Sequence, residues 1–388
     1  MRNPLVTRMT GFSTTIFAEM TQRALQFDAV NLGQGFPDTD GPQELLDIAR
    51  ESIASGLNQY SPAIGMPVLR AAVAHHQRRF YGLEVDPDTE VLVTVGATEA
   101  IAASVLALVE PGEEVVTFEP FYDSYAASIA LAGGVRRTVP LHFPDLAVDE
   151  GALRAAFGPK TRAVLLNTPH NPTGKVFTRE ELELVAELAH EHDAIVISDE
   201  VYEHLSFDGL EHIPIATLPG MADRTLTIGS GGKTFSVTGW KVGWVHGTPE
   251  LVGAVRAVKQ FLTFVGSGPF QPAIAHGLGM PDSFFDSLSA DLQGKRDILV
   301  EALTSAGLPV MPSHGTYFVI ADAAPLGVTD AVEFCRRMPE EIGVVGVPVS
   351  AFCDHVEPVA SLVRFAFCKQ EDVLREGARR LARLGTTV

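Results

Sequence analysis

The chain has 388 residues, of which 46% are hydrophobic and 20% charged, a composition typical of a globular protein rather than a disordered one. Its formal net charge of -19 disfavours nucleic acids and anionic membranes as partners, because both would be repelled by such a surface. The charge does not exclude a small anion held in a local basic pocket.

From about residue 90, short β-branched runs typical of buried strands alternate with longer helical segments. The predicted strands are Glu90–Val95, Glu114–Phe118, Arg162–Asn167, Ala194–Asp199, Thr225–Ile228 and Val242–Val245. The predicted helices are Ala97–Leu108, Ser124–Ala132 and Arg179–Glu191. This alternation predicts an α/β fold whose large domain has a mostly parallel sheet covered by helices on both faces.

The last hundred residues have a different pattern, in which longer helices are mixed with isolated strands. In chain order the predicted elements are helix Asp291–Ala306, strand Thr316–Ile320, helix Asp330–Arg337, strand Leu362–Phe367 and helix Glu371–Leu384. We therefore expect a second, smaller α+β domain.

Four polar residues stand at or just after predicted strands. Asn171 lies in Pro169–Gly174, Asp199 ends an apolar run, Lys233 follows a strand, and Arg364 sits inside a late apolar strand. In open α/β sheets the carboxyl ends of the strands line the ligand crevice, so these groups can converge on one ligand.

These residue types suit pyridoxal phosphate. The cofactor needs a lysine for its aldehyde and a carboxylate that keeps its ring nitrogen protonated. It also needs donors for its phenolate oxygen and a site for its phosphate. Gly96, Ala97 and Thr98 lie between a strand and a helix, where free amides and the positive helix end favour a phosphate.

Six segments carry a resemblance to a known family. They are NLGQGFPD (31–38), GATEA (96–100), NPTGK (171–175), SDEVYE (198–203), SGGKTFSVTGWKVGW (230–244) and RFAFCK (364–369). Together, and in this order over essentially the whole chain, they resemble class I aminotransferases of the aspartate-aminotransferase fold. Within that family the chain looks most similar to the N-succinyldiaminopimelate, kynurenine/glutamine and methionine aminotransferases.

The resemblance implies the organisation of the chain. Residues 1–45 would form an N-terminal segment that joins the small domain, 46–285 the large cofactor-binding domain, and 286–388 the small C-terminal domain. It also implies a homodimer with shared active sites, in which Tyr60 of the segment Asn58–Ser61 reaches the phosphate of the neighbouring subunit.

The resemblance also implies catalytic roles. Lys233 would carry the cofactor as a Schiff base and then move the proton at the substrate α-carbon. Asp199 would pair with the pyridinium nitrogen, Asn171 and Tyr202 would donate to the phenolate oxygen, and Tyr122 would stack on the ring.

The remaining implied roles concern anions. Ala97, Thr98, Ser230 and Lys241 would hold the phosphate, and Lys241 stands where many relatives have arginine. The substrate α-carboxylate would be bound by Arg364, Asn171 and the backbone at Gly35.

Two other classes of protein compete with this interpretation. Gly229–Thr234 after a strand is reminiscent of a phosphate-binding loop of nucleotide hydrolases, but the glycine spacing is wrong and Thr234–Trp244 predicts turn and strand instead of a helix. A non-catalytic cofactor-binding regulator would need a DNA-binding domain, and no residues are left over to form one.

The resemblance places the substrate side chain among mostly apolar residues, and no second arginine occurs at a position that the family uses to grip a side-chain carboxylate. The candidate pocket residues are Ile16, Phe17, Phe36, Tyr122 and Phe264. The runs TTIFAEM, GATEAIAA and FYDSY resemble the N-succinyldiaminopimelate group most, which implies N-succinyl-LL-2,6-diaminopimelate as amino donor. The expected acceptor is 2-oxoglutarate. The alternative is a kynurenine, glutamine or methionine type, with a possible cysteine-conjugate β-lyase activity.

No metal site is expected. The pair His190 and His192 does not share a helix face, and His75–His76 is expected at the surface. The three cysteines lack metal-site spacing and indicate reduced thiols. With no apolar signal core in MRNPLVTRMT and no apolar run long enough to span a membrane, a cytoplasmic location is expected.

Overall fold

The computed structural model describes residues 5–12 and 16–384. Its strands, in chain order, are β1 (Val30–Asn31), β2 (Val91–Thr94), β3 (Glu114–Glu119), β4 (Val135–His142), β5 (Ala147–Val148), β6 (Thr161–Asn167), β7 (Ile195–Asp199), β8 (Thr225–Ser230), β9 (Gly243–His246), β10 (Phe318–Asp322), β11 (Val344–Val345), β12 (Val347–Pro348) and β13 (Leu362–Ala366). Its helices are α1 (Ile16–Gln26), α2 (Gln43–Ala54), α3 (Pro67–Tyr81), α4 (Gly96–Leu108), α5 (Asp123–Ala132), α6 (Glu150–Ala156), α7 (Arg179–Glu191), α8 (Gly231–Thr234), α9 (Pro249–Leu262), α10 (Gln271–Leu278), α11 (Asp282–Ser305), α12 (Ala331–Glu341) and α13 (Glu371–Leu381).

An eight-stranded sheet forms the centre of the large domain, with the strand order β2-β9-β8-β7-β6-β3-β4-β5. The pairs within β8-β7-β6-β3-β4 are parallel, whereas β9 and β5 pair antiparallel to their neighbours. Because side chains alternate along a strand, Leu165 packs into the core beneath α4 while Leu166 packs into the core beneath α7. The predicted α/β sheet with helices on both faces is confirmed.

The small domain combines both ends of the chain. Strands β10, β13 and β12 form an antiparallel sheet, and β1 pairs in parallel with β11 through Val30 opposite Val344. Helix α1 packs against α12. The N-terminal segment is thereby attached to elements more than 300 residues later in the chain.

Most predicted elements are present with shifted ends. Helix α7 has the predicted bounds, because Thr178 and Glu181 form a capping box at its start. By contrast, α11 begins at Asp282, nine residues before the predicted start. Strand β4 was not predicted, since it contains Pro140 and lies near one edge of the sheet, where its solvent-facing positions are polar.

Two expectations about loops and surfaces can be judged on this fold. Helix α8 has only four residues, ending at Thr234, so the long helix that a phosphate-binding loop requires does not follow β8. The surface position expected for His76 is wrong, since its ring is buried between Phe80 and Phe285 and its Nε2 lies 2.7 Å from His204 Nε2.

Among residues 5–12 and 16–384, no helix has the length and apolarity needed to cross a membrane.

Candidate active site

The carboxyl ends of three neighbouring parallel strands position the polar residues. Asn167 ends β6, Asp199 ends β7 opposite it, and Ser230 ends β8. Lys233 follows at once on α8, so the backbone carries its side chain to the same edge of the sheet. Convergence at this edge is what the pattern of strands predicted.

One cavity at this edge is lined by most of the predicted site residues: Ala97, Thr98, Tyr122, Asn171, Asp199, Tyr202, Ser230, Lys233 and Lys241. Tyr60 is not among them. Its side chain is 82% exposed and its ring lies 5.4 Å from that of Phe264, so the structure does not bring it into the cavity of its own chain.

Asp199 is a buried carboxylate fixed by neighbours that the sequence did not single out. The phenol of Tyr125 donates to Asp199 Oδ2 at 2.6 Å, and Asn167 Nδ2 donates to the Asp199 carbonyl oxygen at 2.8 Å. Burial raises the pKa of Asp199 to about 6, and the Tyr125 hydrogen bond opposes this rise. A cation placed against this carboxylate would favour its ionised form.

Lys233 has an environment that favours a neutral amine. Burial lowers the pKa of Lys233, although the charge of Asp199 partly opposes the shift. Its Nζ donates to Tyr317 Oη at 3.1 Å, and Tyr317 donates in turn to the carbonyl oxygen of Gly35 at 2.8 Å. An uncharged, oriented lysine is the form that attacks an aldehyde.

Two of the three tyrosines that line the cavity, Tyr122 and Tyr202, remain protonated donors. Burial raises the pKa of Tyr202 well above its usual value and that of Tyr122 to about 12. Both phenols can therefore donate a hydrogen bond to an oxyanion across the whole physiological range.

The start of α4 has the features that suit an anion. The N-terminus of α4 has no side-chain cap, and Gly96 adopts a positive φ of 72°. A Cβ at Gly96 would lie only 3.1 Å from Lys241 Nζ, so the lysine ammonium approaches the backbone there. In the part of the chain that the structure describes, Lys241 has no carboxylate partner. Free amides together with an unpaired ammonium suit a phosphate.

Arg364 is a buried cation without a counter-ion. It is 1% exposed, donates from Nη1 to Asn171 Oδ1 at 3.2 Å and from Nη2 to the Gly33 carbonyl oxygen at 2.9 Å. Its Nε has no hydrogen-bond partner, and no carboxylate pairs with it, within residues 5–12 and 16–384. Burial lowers its pKa to about 10, and Phe318 packs 4.2 Å from the guanidinium. Such an arrangement is unfavourable unless an anion binds.

A second cavity joins Arg364 to Lys233. Its wall contains Phe17, Gln34, Gly35, Phe36, Tyr122, Asn171, Tyr202, Lys233, Phe318 and Arg364. A Cβ at Gly35 would lie 2.2 Å from Phe318 Cζ, so only glycine fits there without moving the ring. The predicted neighbours of a substrate carboxylate, Asn171, Gly35 and Arg364, therefore lie around one space.

The candidate side-chain pocket is present in part. Phe17, Phe36 and Tyr122 line the Arg364 cavity, and Ile16 lines a larger cavity beside it. Phe264 is 48% exposed and lies in neither cavity of its own chain. In the run TTIFAEM the two threonines, at positions 14 and 15, lie outside the described residues.

The residues of the site that the sequence missed include Tyr125, Asn167 and Tyr317. Tyr125 stands in FYDSY three residues after Tyr122, and Asn167 is the last residue of a predicted strand. Each of these two positions could have indicated a residue of the site. Tyr317 has none, because only the folded chain brings it to Lys233.

Comparison with known proteins gives concordant matches. The family model described as "Aminotransferase class I and II" matches residues 28–381. A probable N-succinyldiaminopimelate aminotransferase of Mycobacterium tuberculosis is 52% identical, covering 97% of this chain and 98% of that protein. A methionine aminotransferase of Escherichia coli is 40% identical, covering 98% of this chain and 99% of that protein. The solved structure of N-succinyldiaminopimelate aminotransferase from Mycobacterium tuberculosis superposes with a TM-score of 0.96, covering 98% of this chain and 100% of that chain at 52% identity.

Proposed function

Because the chain belongs to the class I and II aminotransferase family, we propose that it uses pyridoxal phosphate, held at Lys233, to transfer the amino group of N-succinyl-LL-2,6-diaminopimelate to 2-oxoglutarate. Aminotransferase activity follows from membership of the family. The observation that carries the rest is that Lys233 and the unpaired Arg364 line one cavity. An amino acid bound there would present its amino group to the lysine and its carboxylate to the arginine.

The donor set fits the cofactor group by group. Lys241, Ser230 and the amides at the start of α4 would hold the phosphate, and Asp199 would accept a hydrogen bond from the ring nitrogen. Asn171 and Tyr202 would donate to the phenolate oxygen, and Tyr122 would cover one ring face. Pyridoxal phosphate, when bound, supplies an electron sink for the electron pair left at the substrate α-carbon.

Lys233 would act as the acid–base group. Burial lowers the pKa of its ammonium and so favours the neutral Nζ, the form that can take the α-carbon proton. Tyr317 holds this Nζ at 3.1 Å and is itself anchored on the carbonyl of Gly35. The proton therefore moves to and from an atom whose position is fixed by two hydrogen bonds.

Arg364 and Asn171 would orient the substrate. Arg364 keeps Nε without a partner in the described chain, and Asn171 is fixed by a 2.7 Å hydrogen bond from its backbone nitrogen to Asn167 Oδ1. A carboxylate bound to this pair neutralises the buried guanidinium, which favours substrates with an α-carboxylate. Orientation by such a bond aligns the α-carbon with the lysine.

The choice of donor rests on similarity and on the cavity wall. The relative named for the succinylated donor is 52% identical, against 40% for the methionine aminotransferase. The aromatic rings of Phe17, Phe36 and Phe318 beside Arg364 also suit a methionine or kynurenine side chain. The second candidate is therefore a methionine, glutamine or kynurenine aminotransferase with cysteine-conjugate β-lyase activity.

A panel of amino donors with 2-oxoglutarate and pyruvate tests this choice. The succinylated donor should have the highest kcat/KM, and aspartate should be lower by at least about tenfold, or roughly 1.4 kcal/mol of transition-state binding. A poor rate with the succinylated donor beside a good rate with methionine or kynurenine would select the second candidate. Aspartate as the best donor would refute the apolar pocket.

The proposal includes a homodimer in the cytoplasm. Tyr60, Phe261 and Phe264 are exposed together at 82%, 85% and 48%, an apolar surface that a second subunit would cover. Such a subunit would bring its Tyr60 to the phosphate site. The cytoplasmic location is supported by the free thiols of the three cysteines, Cys335, Cys353 and Cys368.

A further inference from the structure

A third cavity of about 860 Å³ adjoins the space between Lys233 and Arg364. Phe17 and Tyr122 form part of the wall of both, so a ligand bound at Arg364 can extend past these rings. Phe352 also lies between the two cavities, because its ring lines the third cavity and lies 4.9 Å from the Arg364 guanidinium. The third cavity is large enough for a long substituent of an amino donor.

Among the described residues that line this third cavity, Arg136 provides the only positive charge. It lies on β4 and packs over the ring of Phe121 at 4.8 Å. Its Nε and Nη2 bind Asp354 at 2.9 and 2.5 Å, so one face of the guanidinium is occupied. Its Nη1 makes no hydrogen bond in the part of the chain that the structure describes. The fork formed by Nη1 and the second hydrogen of Nη2 is open.

The surroundings keep this guanidinium oriented. Asp354 is anchored by its backbone nitrogen, which donates to Glu119 Oε1 at 2.8 Å, and only 20% of the Arg136 side chain is exposed. An arginine presents five donors in a planar arrangement and can bind two carboxylates on different faces. The pair with Asp354 thus positions Arg136 and leaves room for a second carboxylate.

The other acids of the cavity wall do not compete for Arg136. Glu19 is bound to Arg336 at 2.7 Å, and burial raises the pKa of Asp123, which lies next to Tyr122. An anionic substituent therefore finds its best hydrogen-bond donors on β4.

We propose that Arg136 binds a carboxylate of the amino donor that is remote from the reacting centre, and that this selects long donors with a distal carboxylate. The inference rests on the proposed function for the identity of that carboxylate. N-succinyl-LL-2,6-diaminopimelate has two non-reacting carboxylates, one on the succinyl group and one on the second amino-acid centre. Arg136 is a specificity residue and takes no part in the proton transfers.

Pairs of donors that differ only by the distal carboxylate test the inference without the succinylated compound. The pairs are L-2-aminoadipate with L-norleucine, and L-2-aminopimelate with L-2-aminoheptanoate. For the wild type, kcat/KM for the diacid should exceed that for its partner. In Arg136→Gln this preference should fall by tenfold or more, because KM for the diacid rises. The kinetic constants of the donor that lacks the distal carboxylate should not change.

Two further variants separate binding from structure. Arg136→Lys keeps the charge but loses the fork, so its preference should lie between those of wild type and Arg136→Gln. Arg137→Gln is the matched control, because Arg137 is the next residue on β4, is exposed, and pairs with Glu114 at 2.5 Å instead of lining the cavity. It should keep the wild-type preference.

The outcomes also distinguish this inference from the proposed function. An unchanged diacid preference in Arg136→Gln, or an equal fall in Arg137→Gln, would overturn the role of Arg136 whatever the natural donor is. If the preference depends on Arg136 but wild-type enzyme turns over the succinylated donor poorly, the carboxylate site stands and the proposed donor falls. A loss of kcat for both members of each pair would mean a structural role and would also overturn the inference.

Discussion

Tyr125 donates its phenolic hydrogen to Asp199 Oδ2 across 2.6 Å, linking helix α5 to the carboxyl end of β7. The hydrogen bond favours the ionised carboxylate, while the burial of Asp199 favours the neutral acid and raises the pKa to about 6. If Asp199 pairs with the ring nitrogen of the cofactor as proposed, its ionised form near neutral pH would depend partly on Tyr125.

Tyr125→Phe should raise the pKa of Asp199 further, because it removes a hydrogen bond to the ionised form. Below that pKa the Asp199 carboxyl is protonated and must lose its proton before the carboxylate can pair with the pyridinium. The affinity for the cofactor therefore falls as pH falls. We expect the fall to begin at a higher pH in the variant. Equilibrium titration of cofactor-free protein with pyridoxal phosphate between pH 5 and 8 measures it, and superimposable pH profiles would contradict the assignment.

Asp199→Asn should change how the stability of the cofactor-free protein depends on pH. The pKa of Asp199 is about 6 in the folded chain against a usual value of 3.8, so the folded state binds more protons between these limits. The contribution of Asp199 to the free energy of unfolding therefore decreases as pH rises from about 4 to 6, by roughly 3 kcal/mol at most.

Asp199→Asn has no carboxyl that titrates at this position, so the stability of the variant relative to wild type should increase as pH rises over the same range. Denaturant unfolding at pH 4, 5, 6 and 7 gives the comparison, and a difference that does not vary with pH would refute it. The same variant should bind cofactor but lose most transamination, because a neutral amide does not hold the ring proton.

Lys233→Ala should abolish nearly all activity, since positioned acid–base catalysis alone is typically worth on the order of 10²–10⁴-fold. In wild type, borohydride should fix the cofactor to the peptide that contains Lys233, as mass spectrometry would show. The matched control is Lys160→Ala, because Lys160 is an exposed turn residue. Cofactor fixed on another lysine, or a colourless purified wild type, would overturn the role of Lys233.

Arg364→Met should separate function from stability. It should lower kcat/KM at least tenfold, because a charge-assisted hydrogen bond to the substrate carboxylate is worth about 1.5–3 kcal/mol. The cofactor-free variant should be no less stable than wild type, since an unpaired buried cation is replaced by an apolar chain.

Arg296→Met is the control for this change. Arg296 is bound to Asp208 at 2.5 and 2.9 Å and lowers the pKa of that carboxyl to about 2, so its loss should destabilise the protein. Thermal unfolding of the two cofactor-free variants decides the question. A Tm that falls as far for Arg364→Met as for Arg296→Met would contradict the view that Arg364 lacks a counter-ion.

The proposed homodimer can be examined by mixing defective subunits. If Tyr60 completes the neighbouring site, a hybrid of Tyr60→Phe and Lys233→Ala subunits holds one site with both defects and one with neither. Refolding the two together should give more activity than the mean of the separate homodimers. Light scattering should show a dimer, and an active monomer would end this part of the proposal.

The residues to which we assign a direct chemical role could be proposed from the sequence because each one stands in a recognisable local motif. Lys233, Asp199, Asn171 and Arg364 follow or interrupt recognisable strands, and the sheet carries them to one edge. Tyr317 could not be found this way, because its contact with Lys233 joins positions 84 residues apart and leaves no periodic signal. Only the packing of the small domain on the large one creates that contact.

The position of Arg136 shows the same limit from another side. Arg136 stands beside Arg137 on a strand that was not predicted, so the sequence gives no reason to distinguish it from a charged surface residue. Alternation along β4 turns Arg136 towards the cavity and Asp354, while Arg137 faces Glu114. Sequence patterns do not distinguish the two arginines, because their difference depends on the register of β4.

The pairing of β1 with β11 sets an order of events during synthesis on the ribosome. Val30 emerges first but finds its partner, Val344, only after 314 further residues have been made. At about 5–20 residues per second the segment waits roughly 15–60 s, whereas the parallel sheet of the large domain is complete much earlier. The early segment, with the apolar face of α1, therefore remains without its partner strand while the rest of the chain is translated, and transiently exposed apolar surface of this kind promotes aggregation.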